Sequence, residues 1–298
     1  MIALGQKIRR LRVAQQMTQA ELAGDQITRN MLSQIENGNA QPSLATILYL
    51  ADKLDIAPGY FFAEDEDEFL YRKMQRIDKI KQAFAAGAWQ RCMALCQDNL
   101  NGSDDEVTFI LCRCAYQLAL RAFAEGRLCA AHSGFVQTLE YASQTIYDTS
   151  SLSRTAYDYL TYLAQFDSAL EIPSFIRPQK YGDNAEQPWF SAYLQALASV
   201  HAGDLSTPEH LLALIDFAEP AFAVHIRARM AMASCDYSGA VQLIERVLTP
   251  ERGLPPSKPM VYLLYGDLEI CCRETGDFER AYRYSTQRVK LLDILLTE

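Results

Sequence analysis

"ITRNMLSQIENG", residues Ile27–Gly38, holds one acid and one base in a chain of net charge −9. Leu32 and Ile35 share a face with Met31, at the i, i+3, i+4 spacing of a buried helix stripe. Arg29, Asn30, Ser33 and Gln34 fall mainly on the other side. Thr28 can cap the start, because its hydroxyl accepts a bond from a free first-turn N–H. Gly38 can end the helix, since it takes a left-handed conformation without steric cost. The spacing predicts a short helix whose outward face is made of forked hydrogen-bonding groups.

The flanking sequence extends this pattern to five short helices. Leu4, Ile8 and Leu11 form a first stripe, and Thr18 caps a second helix that carries Leu22 and Ala23 and stops at Gly24. Ile27–Gly38 is the third. Ser43 opens a fourth with Leu44, Ile47, Leu48, Ala51 and Leu54 at helical spacing, and Pro58 starts a fifth with Phe61 and Phe62. The acidic run Glu64–Glu68 then interrupts the pattern and suits a solvated helix start. It sets the expected boundary, with domains at 1–63 and 64–298.

Beyond Phe69 the chain repeats. Breaks at Gly87, Gly126, Gly203, Cys235 and Gly276 are each followed by a new amphipathic helix, at gaps of 39, 77, 32 and 41 residues. The gap of 77 is close to twice the others, so a degenerate unit near Gln165 is expected inside it. Periods of this length with a helix–turn–helix unit indicate stacked helical pairs that share one core. Ile172–Pro188, with three prolines and a glycine, reads as a loop or a distorted unit.

Composition sets limits on function. The 298 residues are 49 % apolar and 22 % charged, with few Gly and Pro, so the chain reads as globular and all-α. No run of about 18 apolar residues stands out, so no membrane span is expected. The N-terminus is charged within seven residues and lacks an apolar export segment, so a cytoplasmic protein is expected. The eight cysteines sit in apolar helical patterns and read as reduced, buried residues. Residues 1–62 hold six Lys or Arg against five Asp or Glu, a balance of +1 that leaves −10 on the remainder. Any contact with nucleic acid therefore belongs to the first 62 residues.

"TQAELAG", "ITRNMLSQIENG" and "QPSLATILYLADKLDI" resemble the helix-turn-helix domain of the Xre/Cro/C1 repressor family. "GDFERAYRYSTQRVKLL" is similar to the second helix of a tetratricopeptide (TPR) unit. With "YRKMQRIDKIKQAFAAGAW" joining the two parts, the whole resembles PlcR-type and Rgg-type regulators, which bind secreted signalling peptides. The resemblance implies a lambda-repressor-like domain followed by a TPR-like array. It also implies a homodimeric transcription regulator that binds double-stranded operator DNA, with a peptide or other small ligand in the repeat groove.

Carried over by position, the family's base-reading helix opens at Thr28, with Arg29, Asn30 and Gln34 as readers and Ser33 as a weaker one. Arginine suits the two acceptors of guanine, and an amide suits the donor and acceptor of adenine. Gln19 and Asn37 match phosphate-contacting positions, and Arg12 matches an ion-pair partner of Glu36, a pair that would also orient Arg12 toward the DNA backbone. Two features depart from the family. The turn "GDQI" is one residue shorter than in the phage repressors and lacks its usual glycine. The loop "NAQP" after Gly38 lacks the usual Lys or Arg. Fewer phosphate contacts imply a shallower salt dependence and call for two domains on half-sites about 34 Å apart.

The resemblance places the ligand groove on the first helix of each pair. A register set on Ala281 turns Arg113, Tyr116, Tyr193, His225, Arg229 and Arg273 inward, a set suited to a ligand carboxylate. Peptide-sensing relatives hold the ligand backbone with asparagines, whereas this array has only Asn99, Asn101 and Asn184. A scaffold that recruits a protein partner, and a thiol sensor using Cys92 and Cys96, are the alternatives. His132, His201, His210 and His225 are scattered, so neither a metal site nor a nucleophile–base pair is expected. No cofactor and no enzymatic activity are expected either.

Overall fold

Every regular element among the described residues is helical. The computed structural model describes residues 4–63, 68–97, 104–176, 185–249 and 255–297. Backbone contacts divide the chain into two units, Met1–Ser103 and Asp104–Glu298.

The first unit opens with α1 (Leu4–Ala14), α2 (Gln19–Ala23), α3 (Arg29–Glu36) and α4 (Leu44–Lys53), then a 3-10 turn at Pro58–Phe62. These correspond to the five expected helices. Ile8, Leu22, Leu32, Ile35, Leu50 and Leu54 are removed from solvent in one core. Each such side chain contributes roughly 1.5–3 kcal/mol on burial. Three expected core residues lie outside it: Met31, Leu44 and Leu48 are exposed, Leu44 by 70 %. Leu50 fills the position expected of Leu48, because α4 turns its Ile47–Leu50–Ala51–Leu54 side inward.

Two α1 residues fix how the helix sits. Gly5 is buried where α1 crosses the end of α3, and a methyl there would stand 2.0 Å from the Ile35 carbonyl oxygen. Only glycine allows the two backbones so close. Lys7 is buried as well, and its Nζ donates to the Tyr60 carbonyl at 3.4 Å and to that of Ala63. It also stands 5.4 Å from the centre of the Tyr60 ring, a cation–π contact.

α5 (Glu68–Ala85) and α6 (Trp89–Gln97) complete this unit. The helical pairing thus begins inside the N-terminal unit. Of the acidic run at the expected boundary, 64–67 lie outside the described residues.

The second unit contains α7 (Asp105–Glu125), α8 (Leu128–Ala142), α9 (Ser150–Leu163), α10 (Pro188–His201), α11 (Ser206–Ala218), α12 (Pro220–Ala233), α13 (Tyr237–Leu248), α14 (Lys258–Glu274) and α15 (Phe278–Thr297). It is a TPR-like set of helical pairs: α7 packs on α8, α10 on α11, α12 on α13 and α14 on α15. The breaks read from the sequence are the turns within pairs. Gly87, Gly126, Gly203, Cys235 and Gly276 all have positive φ, between 60° and 83°. The degenerate unit is present too. After α9 the chain makes only a 3-10 turn at Ser168–Leu170, and no α-helix follows in the described part of Ile172–Gln187.

Aromatic rings fill the centre of this unit. Tyr159 stacks on Phe190 at 4.1 Å and on Phe135 at 4.7 Å, while Tyr193 meets Phe222 edge-on at 4.8 Å. The last pair returns to the first. Cys129 Sγ on α8 donates to the Leu296 carbonyl on α15 at 3.3 Å, and Leu295 is fully buried. α7 is long and apolar enough, by length and composition, to cross a bilayer, contrary to the expectation that no such stretch exists. Most of it is buried against its neighbours, so here it serves as a core helix.

Candidate nucleic-acid interface

α3 is held from both ends. Thr28 Oγ1 accepts the Met31 N–H at 3.1 Å, which satisfies one free donor of the first turn. Gly38, with φ of 77°, carries the chain out of the helix. α2 is capped in the same way by Thr18, with Glu21 reaching back to the Thr18 N–H at 2.6 Å. In the short turn between them the positive φ falls on Gly24, at 52°. The Tyr49 hydroxyl on α4 donates to the Ala23 carbonyl at 3.0 Å and fills the space a side chain at Gly24 would need.

Glu36 is the junction of the three helices. Its buried carboxylate accepts Arg12 Nε at 2.7 Å, Arg12 Nη2 at 3.1 Å and Gln19 Nε2 at 2.8 Å. Burial pushes the Glu36 carboxyl up, but the bonds from Arg12 and Gln19, with the charges of Arg12 and Arg9, outweigh it and hold it below the usual range. The hydrogen bond to Glu36 in turn raises Arg12. Arg12 Nη1 donates to the Met17 carbonyl at 2.9 Å, so the guanidinium is largely committed inside the domain. Arg12 therefore sets the seat of α3.

On the outer side of α3 the arrangement is the reverse. Thr28, Arg29, Asn30, Gln34 and Asn37 are exposed, and Ser33 is half-buried. The side chains of Arg29, Asn30 and Gln34 make no hydrogen bond or ion pair with any described residue. Five exposed polar groups along α3 and its caps, four of them without a side-chain partner among the described residues, form a surface able to hydrogen-bond base edges.

Residues 8–61 match the helix-turn-helix family model. The N-terminal segment is a helix-turn-helix domain. The helix-turn-helix is completed by α2 and α3, with the exposed polar face on the second of the two. No curated protein matches the chain. It is similar to three solved structures. The first is Bacillus thuringiensis PlcR in complex with the peptide PapR7 and DNA, at 15 % identity and a TM-score of 0.23, covering 99 % of each chain. The second is a cysteine-to-serine variant of the Streptococcus dysgalactiae SHP pheromone receptor Rgg2, at 15 % and 0.21, covering 97 % of this chain and 99 % of that one. The third is the same organism's Rgg2, at 13 % and 0.20, covering 96 % and 99 %.

The residues expected to line a ligand groove are placed differently from the α3 set. Tyr116, Tyr193 and His225 are buried. They face inward, as the register requires, but in this unit the inside is the packed core. Tyr193 Oη and His225 Nδ1 lie 2.8 Å apart, and His225 Nε2 is 3.0 Å from Asp267 Oδ2. Arg229 Nε donates to the same oxygen at 3.0 Å. Asp267 is fully buried, so it gathers an imidazole and a guanidinium on one carboxylate. Arg113 pairs with Glu186 at 3.3 Å, and Arg273 approaches Glu269 at 3.9 Å on the surface. Asn99, Asn101 and Asn184 lie outside the described residues.

Six cysteines are buried, while Cys129 and Cys235 are exposed. Cys92 and Cys96 are shut off from solvent, and burial, with Cys92 beside it, pushes the Cys96 thiol up to about 12. A thiol so disposed is a poor nucleophile at neutral pH, which removes support for a sensor at this pair. Among the described residues no three His, Cys, Asp or Glu side chains come together as a metal site.

Sequence reasoning missed Gly5 and Lys7. Both carried a signal: a glycine in the first turn of a good helix former, and a lysine beside the apolar Ile8. It also missed that the Gln19 amide is engaged by Glu36.

Proposed function

We propose that the protein is a sequence-specific transcription regulator that reads DNA with the outer face of α3. The observation that supports this is the set of exposed, unpaired Arg29, Asn30 and Gln34 side chains on the second helix of the helix-turn-helix. Arg29 is the guanine reader, Asn30 and Gln34 are amide readers, and Ser33 and Thr28 lie beside them. Gln19 spends one amide proton on Glu36, and its second is left for a phosphate at the start of α2. Asn37 takes a phosphate at the far end of α3. A domain of charge +1 binds one half-site weakly, so the regulator works as a homodimer on a palindrome. The C-terminal unit supplies the dimer contact and the response to a small ligand, which acts by favouring one spacing of the two reading heads.

Mobility-shift titrations over single-base operator variants test the reading. Arg29→Ala loses about 1–3 kcal/mol of discrimination at one base pair, while Gln19→Ala weakens every variant nearly alike. Equal losses on all variants from both substitutions contradict the assignment.

A further inference from the structure

The second unit contains a cavity of ≈ 990 Å³ that none of the expected ligand residues lines. Its walls are aromatic: Phe123, Tyr159, Trp189 and Phe222, with Trp189 and Phe222 edge-on at 5.2 Å. Its size falls at the upper end of small-molecule sites, and its mix of flat apolar walls with a few polar groups is theirs as well.

The polar lining holds one cation, Arg246, with the amide of Gln187 and the hydroxyls of Thr249 and Ser257, all able to donate. Three helices start at this cavity, α10 after Gln187, α12 after Glu219 and α14 after Ser257, and all three flanking residues line it. Each helix has proline in its first two positions and none has a side-chain cap. The α12 start abuts the α11 end at Glu219, so the free positive ends at this opening are those of α10 and α14. A separate observation points the same way. The Ser257 hydroxyl is closed off from solvent and has no hydrogen-bond partner. The Tyr159 hydroxyl donates to Gln187 Oε1 at 2.6 Å, which turns the Gln187 amide N–H groups to other use. Arg246 is exposed at the rim and makes no ion pair among the described residues. Glu219 is the one acidic group among the described lining residues.

We propose that this cavity binds a small organic anion with a flat aromatic body. Its charge lies against Arg246 and the starts of α10 and α14, its rings lie against Trp189 and Phe222, and a donor on the ligand meets Glu219. This gives the sensing role proposed above a site and a ligand class, and it depends on that reading only for any effect on DNA.

The probe is 8-anilinonaphthalene-1-sulfonate, which joins an aromatic body, an N–H donor and an anion. N-phenyl-1-naphthylamine is its uncharged counterpart. In a Trp89→Phe chain, Trp189 is the remaining tryptophan. The expected result is saturable binding of the anion with energy transfer from Trp189. Arg246→Ala should weaken the anion about tenfold and leave the uncharged probe unchanged. Arg246 is exposed, so this variant keeps its fold, and Ala124→Phe, also at an exposed lining position, should reduce both probes by filling space. No energy transfer, or Arg246→Ala affecting both probes equally, overturns the proposal. Failure of DNA binding in a chain that still takes the anion would count against the proposed function alone.

Discussion

The polar face of α3 and the polar chain through α10, α12 and α14 use similar side chains to opposite ends. On α3, an arginine and two amides stand in solvent without partners. In the second unit, Tyr193 is bonded to His225 and Arg229 to Asp267, with His225 Nε2 3.0 Å from the same carboxylate, and three of the four are buried. In the sequence Tyr193, His225 and Arg229 looked like binding residues as the α3 set did, while Asp267 gave no such sign. What separates them is whether another helix covers the face. α3 is one of the outer helices of a small domain, so its polar side has no neighbour. The first helices of the later pairs face each other and the returning last pair, and their inward polar groups must pair or cost free energy.

The largest expected effect follows from that buried pairing. Asp267→Ala leaves buried His225 and half-exposed Arg229 without their carboxylate and should cost about 2–3 kcal/mol in urea unfolding. A cost near that of an exposed substitution would mean that the buried chain is open to water and belongs with the α3 face. Gly5→Ala comes next. Its methyl collides with the backbone carbonyls at the end of α3, so a loss of about 1–3 kcal/mol or more is expected, with reduced hydrogen-exchange protection at Leu32 and Ile35. An unchanged exchange pattern would show that α1 and α3 do not cross so closely.

A smaller effect depends on pH. The Glu36 carboxyl is held below its ordinary value of 4.5 in the folded domain. Its contribution is therefore complete above that value and is lost as pH falls through the folded-state pKa. Exchange protection at Leu32 and Ile35 should fall with acidification below that point. Glu36→Gln should be weaker at neutral pH and lack that part of the pH dependence. A wild-type chain that keeps full protection in acid would contradict the role of Glu36 as the junction.

Much of the fold was legible in the sequence, for local reasons. A helix that turns into its partner needs one left-handed residue, and Gly87, Gly126, Gly203 and Gly276 supply it where the pattern breaks. Cys235 was legible only by spacing, since nothing in a cysteine announces φ of 60°. The doubled gap exposed the incomplete pair after α9. The caps Thr18, Thr28 and Ser43 were legible because a helix start requires such a side chain. Tertiary choices were not. Periodicity shows that Leu44 and Leu48 share a stripe with Ile47, but not which side of α4 the core takes. It turned Tyr116 and Tyr193 inward but could not show that the array's last pair returns to α8. The cavity around Trp189 joins residues from five helices, and no local pattern predicts that.

The most direct measurement is selection of a randomised duplex pool by the intact chain, repeated with Arg29→Ala. The expected result is an enriched palindrome whose half-sites repeat at about one helical turn or a multiple of it, with preference lost at one position per half-site in the variant. A pool that shows no enrichment, or one enriched identically by both proteins, would contradict the claim that α3 reads DNA.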